Sequence, residues 1–246
     1  MFVHHEERDG LGLAFTDRHG GVSAPPYDSL NLGRSDLDDP AAVAENLRRV
    51  QQAVGVDTVA SVRQEHTAEV VVVDRDFCDA PPPRADALVT TTPGIALAVR
   101  VADCLPIVIA SRRSRVIAAV HAGRVGLADQ IIPRALAVLS DVAGRHGGTP
   151  DDLQAWIGPH VCGACYEVPA DLRDEVAAVV PDVAATTSWG TPSLDLAAGA
   201  SAQLAGAGAE VVRVGGCTRT DPDLYSHRRD GSAAGRLAAL VWLKDA

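Results

Sequence analysis

The stretch that most constrains this chain is 95–121, "IALAVRVADCLPIVIASRRSRVIAAVH". It holds three short apolar runs, 95–102, 105–110 and 115–121, each of strand length and rich in residues that suit a pleated surface. The polar "SRRS" (111–114) between the last two reads as a hairpin turn. Further strands are expected at 69–74, 153–158, 209–214 and 236–243. Helices interrupt them. The clearest is "DDPAAVAENLRRVQQAVG", with Asp39 as N-cap, Pro40 in the first turn, Val43, Leu47, Val50 and Val54 on one face, and Gly55 as its stop. Others are expected over 127–142, kinked or restarted at Pro133, over 169–180 with Leu172, Val176 and Val179 inward, and over 195–208.

Strands and helices interleave without strict alternation. The fold class expected is therefore α/β (mixed α+β), with mixed β-sheets flanked by helices in a single domain over 1–246. A chain of 246 residues can bury a substantial core. "CDAPPPRAD" (78–86) reads as a surface loop.

Charge narrows the partners. A net charge of −10 offers no basic field to a phosphate backbone, so no nucleic acid is expected. No apolar run is long enough for a membrane span, and "MFVHHEERDG" lacks the apolar core of a signal peptide, which points to the cytoplasm. Lys244 is the only lysine. Schiff-base chemistry and a P-loop lysine are thereby excluded, and any anion must be met by arginine, backbone amides or metal. Cys78, Cys104, Cys162, Cys165 and Cys217 are odd in number and scattered, which argues against a disulfide framework.

Three potential ligands stand at expected strand ends: His66 in "RQEHTAEV", Cys104 in "VADCLP" and His121 in "AVHAG". Two histidines and a cysteine suit a catalytic metal site that keeps one position open. Taken singly, each histidine is more often structural and Cys104 more often a small buried apolar group. "CGAC" (162–165) reads as half a zinc knuckle, a redox pair, or two loop cysteines near a turn; the last is preferred, because no second C-x-x-C exists and strand-like "YEV" follows. "YSHRRDGSAAGR" gathers Arg228, Arg229 and Arg236, either as a solvated loop or as an anion site. His4, His5, His19 and His146 sit in polar surroundings and receive no role.

Read together, "TDRHGGVSAPPYDSLNLG", "RQEHTAEV", "ADALVTTTPGIALAVRVADCLPIVIA", "AAVHAG", "IGPHVCGACYEVP" and "YSHRRDGSAAGR" resemble the polyphenol-oxidase-like laccase-domain family. Its members are also named purine nucleoside phosphorylases and, in bacteria, peptidoglycan editing factors. The resemblance implies zinc held by His66, Cys104 and His121, with copper as the alternative metal. It also implies phosphorolysis of adenosine, inosine and methylthioadenosine, and deamination of adenosine, so the expected partners are purine nucleosides and phosphate. Asn31, Arg48, Arg124 and Arg228 become candidate substrate or phosphate contacts, and Asp103 a candidate general acid or base beside Cys104. The chain departs from the family wording in two places. "HAGWRG" becomes "HAGRVG", with Arg124 and Val125, and "NR" of the first helix becomes Asn46-Leu47, followed by Arg48 and Arg49.

The residue inventory discriminates among these chemistries. A trinuclear copper cluster draws on His-x-His pairs, and the eight histidines contain none; Met1 is the only methionine, so a blue site lacks its usual axial ligand. The cytidine-deaminase zinc signature is absent too. Three alternatives to a zinc phosphorylase stay open: a lone copper oxidising phenols, Cys104 as a metal-free nucleophile of an amide hydrolase, and a non-catalytic binding protein with a peptidoglycan-related role.

Overall fold

A computed structural model describes residues 1–33 and 38–245, apart from the side chains of Cys78 and Asp79. The elements run in chain order β1 (Phe2–Arg8), β2 (Leu11–Thr16), α1 (Pro40–Val54), β3 (Thr58–Ser61), β4 (Val70–Val72), β5 (Ala87–Thr90) and β6 (Ile95–Val101). Then come β7 (Leu105–Ser111), β8 (Val116–Ala122), α2 (Arg124–Ala128), α3 (Ile131–Arg145), β9 (Leu153–Ile157) and α4 (Ala170–Ala177). The chain closes with β10 (Ala184–Thr186), β11 (Pro192–Leu194), α5 (Leu196–Gly206), β12 (Glu210–Arg213), α6 (His227–Asp230) and β13 (Leu237–Leu243).

These strands build two mixed sheets, ordered β1-β2-β13-β6-β3 and β12-β9-β7-β8-β5-β4, plus the small hairpin β10-β11. The central strands are apolar throughout because both of their faces are covered. In β7, Leu105, Ile107 and Ile109 pack toward the helices α3 and α5, while Val108 and Ala110 pack between the sheets. Leu13 and Phe15 of β2, Leu97 and Val99 of β6, and Val241 of β13 meet them from the other sheet. The outer face of that sheet is closed by Val50 and Val54 of α1 against Ala96, Leu240 and Trp242. The result is helix, sheet, sheet, helix: a mixed α/β fold, as expected.

The hairpin expected around "SRRS" is present, with β7 and β8 paired antiparallel from Leu105↔Ala122 to Ser111↔Val116. Helix α1 starts and stops where its sequence dictates: the Asp39 carboxylate accepts from the Ala41 N–H, and Gly55 ends it at φ 68°.

Some expectations need correction. The helix expected from Leu127 begins earlier, at Arg124, and breaks at Asp129–Gln130, where Gln130 takes φ 65°. Pro133 therefore lies in the first turn of α3, where its missing N–H has no partner to lose, so of the two expected outcomes the fresh start is the one observed. The reading of 78–86 as a surface loop fails at its end, since Ala85 and Asp86 are fully buried. Strands β1, β2, β3, β5, β10 and β11 were not expected from the sequence; β1 carries a mixed polar pattern that an edge strand tolerates, whereas β2 is short and buried between β1 and β13. Among the described residues no helix is long and apolar enough to cross a membrane.

Candidate metal centre

The turn between β6 and β7 carries the chain from one sheet to the other, and Cys104 sits at its end. Asp103 makes the reversal at φ 87°, a conformation that side chains rarely adopt. Its cost is offset by hydrogen bonds. The Asp103 carboxylate is buried and accepts from Thr218 Oγ1 at 2.6 Å, Ser226 Oγ at 2.7 Å and the Arg228 N–H at 2.6 Å. Asp103 thus fixes the Cys104 turn to the 217–228 loop.

His121 is the penultimate residue of β8 and His66 lies in the loop before β4, itself left-handed at φ 58°. With Cys104 they bring three donor atoms within 4.8 Å of one another. Cys104 Sγ stands 3.7 Å from His66 Nε2, and the two imidazole rings meet edge to face with centroids 4.9 Å apart. Gly123, just past β8, is the floor. A Cβ there would lie 2.6 Å from His66 Cδ2 and 3.1 Å from Cys104 Sγ, so only glycine lets both side chains settle.

Behind the trio lies Asp86, which the sequence reading passed over. Its fully buried carboxylate accepts from His121 Nδ1 at 2.7 Å, from the N–H groups of Glu65, His66 and Thr67 at 3.2, 3.2 and 2.7 Å, and from Thr67 Oγ1 at 2.8 Å. It thereby orients His121, leaving Nε2 for the trio, and shapes the His66 loop. Burial pushes the Asp86 carboxyl up, but hydrogen bonds from His121 and Thr67 outweigh it and hold the group at about 2. Burial likewise raises the Cys104 thiol, and the two histidines overcome it to bring the group down to about 6. Burial disfavours a charged His121, yet Asp86 and Cys104 hold its pKa up at about 9. A thiolate, an imidazole braced by a carboxylate, and a second imidazole open to solvent form a donor set that fits a cation of the zinc type with one position free.

The trio opens into a cavity of about 550 Å³, within the range of small-molecule sites. Arg63, Arg100 and Arg236 line it together with Gln64 and His227, and among the described residues no carboxylate does. Gln64 borrows strand chemistry: its amide accepts from the Arg100 N–H at 2.8 Å and donates to the Arg100 carbonyl at 2.7 Å. Glu65 braces Arg63 at 2.8 Å from outside the wall.

The remaining sequence-selected residues stand elsewhere. Asn31 is buried behind the wall, where its side-chain oxygen accepts from the N–H groups of Gly33 and Arg236, both wall residues. Arg48 lies on the outer face of α1, paired with Glu45 at 2.6 Å. Arg124 opens α2, and Arg228 stacks over Tyr166 at 4.5 Å while bonding the Glu167 carbonyl. None of the four lines the cavity. Of the C-terminal arginines, Arg236 reaches it. His227 and Arg100 were missed, since a lone histidine and an in-strand arginine carry no local signal.

"CGAC" forms a turn, as expected, with the Cys165 N–H donating to the Cys162 carbonyl at 2.9 Å. The pairing of those two cysteines alone needs correction. An isolated bridge between His160 and Cys217 brings a third thiol beside them.

Comparisons with known proteins identify the family. The family model described as multi-copper polyphenol oxidoreductase laccase matches residues 12–244. A purine nucleoside phosphorylase of Streptomyces coelicolor is 47% identical over 246 residues, covering 99% of this chain and 100% of its own. One of Mycobacterium bovis is 46% identical over 93% of this chain and 90% of its own. Among solved structures, a Neisseria meningitidis protein superposes with a TM-score of 0.86 at 34% identity, covering 98% of this chain and 99% of its own. YlmD from Geobacillus stearothermophilus gives 0.87 at 28% identity, covering 96% and 93%. With the match running from the second strand to the last, this chain belongs to the laccase-like polyphenol oxidoreductase family, whose curated relatives here bear the name purine nucleoside phosphorylase.

Proposed function

We propose that this chain is a cytoplasmic, zinc-dependent purine nucleoside phosphorylase acting on adenosine, inosine and methylthioadenosine. One observation carries the reading: the His66, Cys104 and His121 trio opens into a cavity whose wall holds three arginines and, among the described residues, no carboxylate, in a protein of net charge −10. Such a wall selects an anion, and guanidinium groups suit phosphate. The names of the relatives supply the second substrate, a purine nucleoside.

In this reading Arg63, Arg100 and Arg236 hold phosphate against the ribose, whose bond from C1′ to the purine nitrogen breaks as the phosphate oxygen bonds C1′. The products are the free base and ribose 1-phosphate, or 5-methylthioribose 1-phosphate where methylthioadenosine is the substrate. The departing base takes a proton, and His227 on the cavity wall is its donor. His66, Cys104 and His121 hold the zinc, which supplies Lewis-acid polarisation and an acidified water when bound. Asp103 and Asn31 act by positioning, the one through Cys104 and the other through Gly33 and Arg236. Adenosine deamination is proposed as a side activity, in which water replaces the C6 amino group and ammonia leaves.

Zinc is preferred to copper because the chain lacks the His-x-His pairs of a multicopper cluster. Incubation of adenosine, inosine and methylthioadenosine with and without phosphate, read by product identity, is the test. Phosphate-dependent release of free base, lost in His66→Ala, is expected. Phosphate-independent turnover that alkylation of Cys104 abolishes in metal-free protein would favour a cysteine nucleophile. No turnover of any nucleoside would favour a binding role.

A further inference from the structure

The second sulfur cluster lies outside the proposed reaction, and its geometry is that of a ligand set. Cys162 and Cys165 come from one tight turn, in which Cys162 accepts from both the Cys165 N–H at 2.9 Å and the Tyr166 N–H at 3.0 Å. Cys217 comes from a loop 52 positions further on than Cys165. All three sulfurs lie within 4.8 Å of one another. The Cys217 sulfur accepts from the Cys162 N–H at 3.4 Å, and the Thr220 N–H donates to the Cys217 carbonyl at 3.2 Å, which closes the loop beneath it. A backbone donor on that sulfur favours negative charge there. Arg219 adds positive charge nearby, bonding the Cys165 carbonyl at 3.2 Å and lying 4.7 Å over Trp189.

We propose that Cys162, Cys165 and Cys217 form a second metal site, for a thiophilic closed-shell cation of the Zn²⁺ or Cu⁺ class. A C-x-x-C turn plus a distant third cysteine is a common way to present sulfur to such ions. A disulfide between any two of the three would leave the third thiol without purpose at the same spot. The site's work is to join the 158–168 loop to the 217–228 loop. Cys217 precedes Thr218, whose hydroxyl holds Asp103, so an ion here stiffens the turn that presents Cys104. The trio is only partly buried, with Cys165 the most enclosed, so an ion can enter and a fourth position stays open to water.

The test uses the full chain carrying His66→Ala and Cys104→Ala, reduced, stripped with chelator and kept anaerobic. Zn²⁺ in one arm and chelated Cu⁺ in another are titrated against it. Binding of a single ion per chain in either arm, lost in the further Cys217→Ser variant, is expected, and competition between the arms identifies the ion. In parallel, cysteine-resolved alkylation of the unmutated chain should show Cys162, Cys165 and Cys217 slowed together by the ion at least tenfold. This second readout needs no substitution at the cluster, so misfolding of a variant cannot mask the answer. Equal alkylation with and without both ions, or recovery of a Cys162–Cys217 disulfide that resists them, overturns the proposal.

Discussion

The chain carries two triads of potential ligands, and they differ in what stands behind them. His66, Cys104 and His121 rest on strand ends, share the Gly123 floor and are backed by a buried carboxylate. Cys162, Cys165 and Cys217 rest on loops, and only backbone N–H groups and one arginine stand behind them. The first triad opens into an arginine-walled cavity; none of the second triad lines it. Mixed nitrogen and sulfur donors with a braced imidazole belong where chemistry is done, whereas an all-sulfur set belongs where loops are tied.

The contrast is sharpest in thiol reactivity. In the metal-free chain Cys104 is held at about 6, whereas burial and the neighbouring Cys217 push Cys162 up to about 12. A thiol is anionic above its pKa, so at neutral pH Cys104 is largely thiolate and Cys162 stays a thiol. Alkylation followed by mass spectrometry near pH 7 should modify Cys104 first and Cys162 barely. Falling pH should protect Cys104 as it passes about 6. Equal rates at the two cysteines would erase the distinction.

Removing the backing carboxylate is the next largest break. Asp86→Ala strands the Nδ1 of His121 and three backbone donors in a buried place, which should cost about 3–5 kcal/mol in a denaturant melt and lower zinc affinity about 10–100-fold. Metal affinity unchanged by this substitution would show that His121 needs no brace. Gly123→Ala comes third. The residue has an ordinary φ of −80°, so the backbone accepts alanine, but the new Cβ overlaps His66. Zinc binding should fall while stability drops only by about 1–3 kcal/mol, and the second triad should bind as before. The smallest effect is expected at the link between them. Thr218→Val removes one hydrogen bond to the buried Asp103 carboxylate, at about 1.5–3 kcal/mol, measured by denaturation. If both triads weaken together, the link is mechanical; if only the Cys104 site responds, the two act independently.

Individual residues show where the sequence was readable. The 105–121 hairpin and α1 were legible because their signals are local: apolar runs around a polar turn, an Asp cap and a Gly stop. His66, Cys104 and His121 were readable as ligands through motif resemblance and were brought together as expected. Asp86 was not, for an aspartate in a loop looks like the other acidic residues until its burial is known. Arg48 and Arg228 were candidate phosphate contacts in the sequence; in the fold Arg48 pairs with Glu45 and Arg228 bonds the Glu167 carbonyl, and neither lines the cavity.

By itself the sequence determined the ligand types, the central strands and the acidic, nearly lysine-free balance that leaves anions to arginine. Those follow from residue chemistry and short-range periodicity, which act within a few positions along the chain. The tertiary structure alone decided which arginines face the cavity, that Asp86 stands behind His121, and that Cys217 joins a turn 52 residues earlier. Those facts depend on how two sheets cross and where their loops land. Such placement is set by packing between segments far apart in the chain, and no local pattern records it.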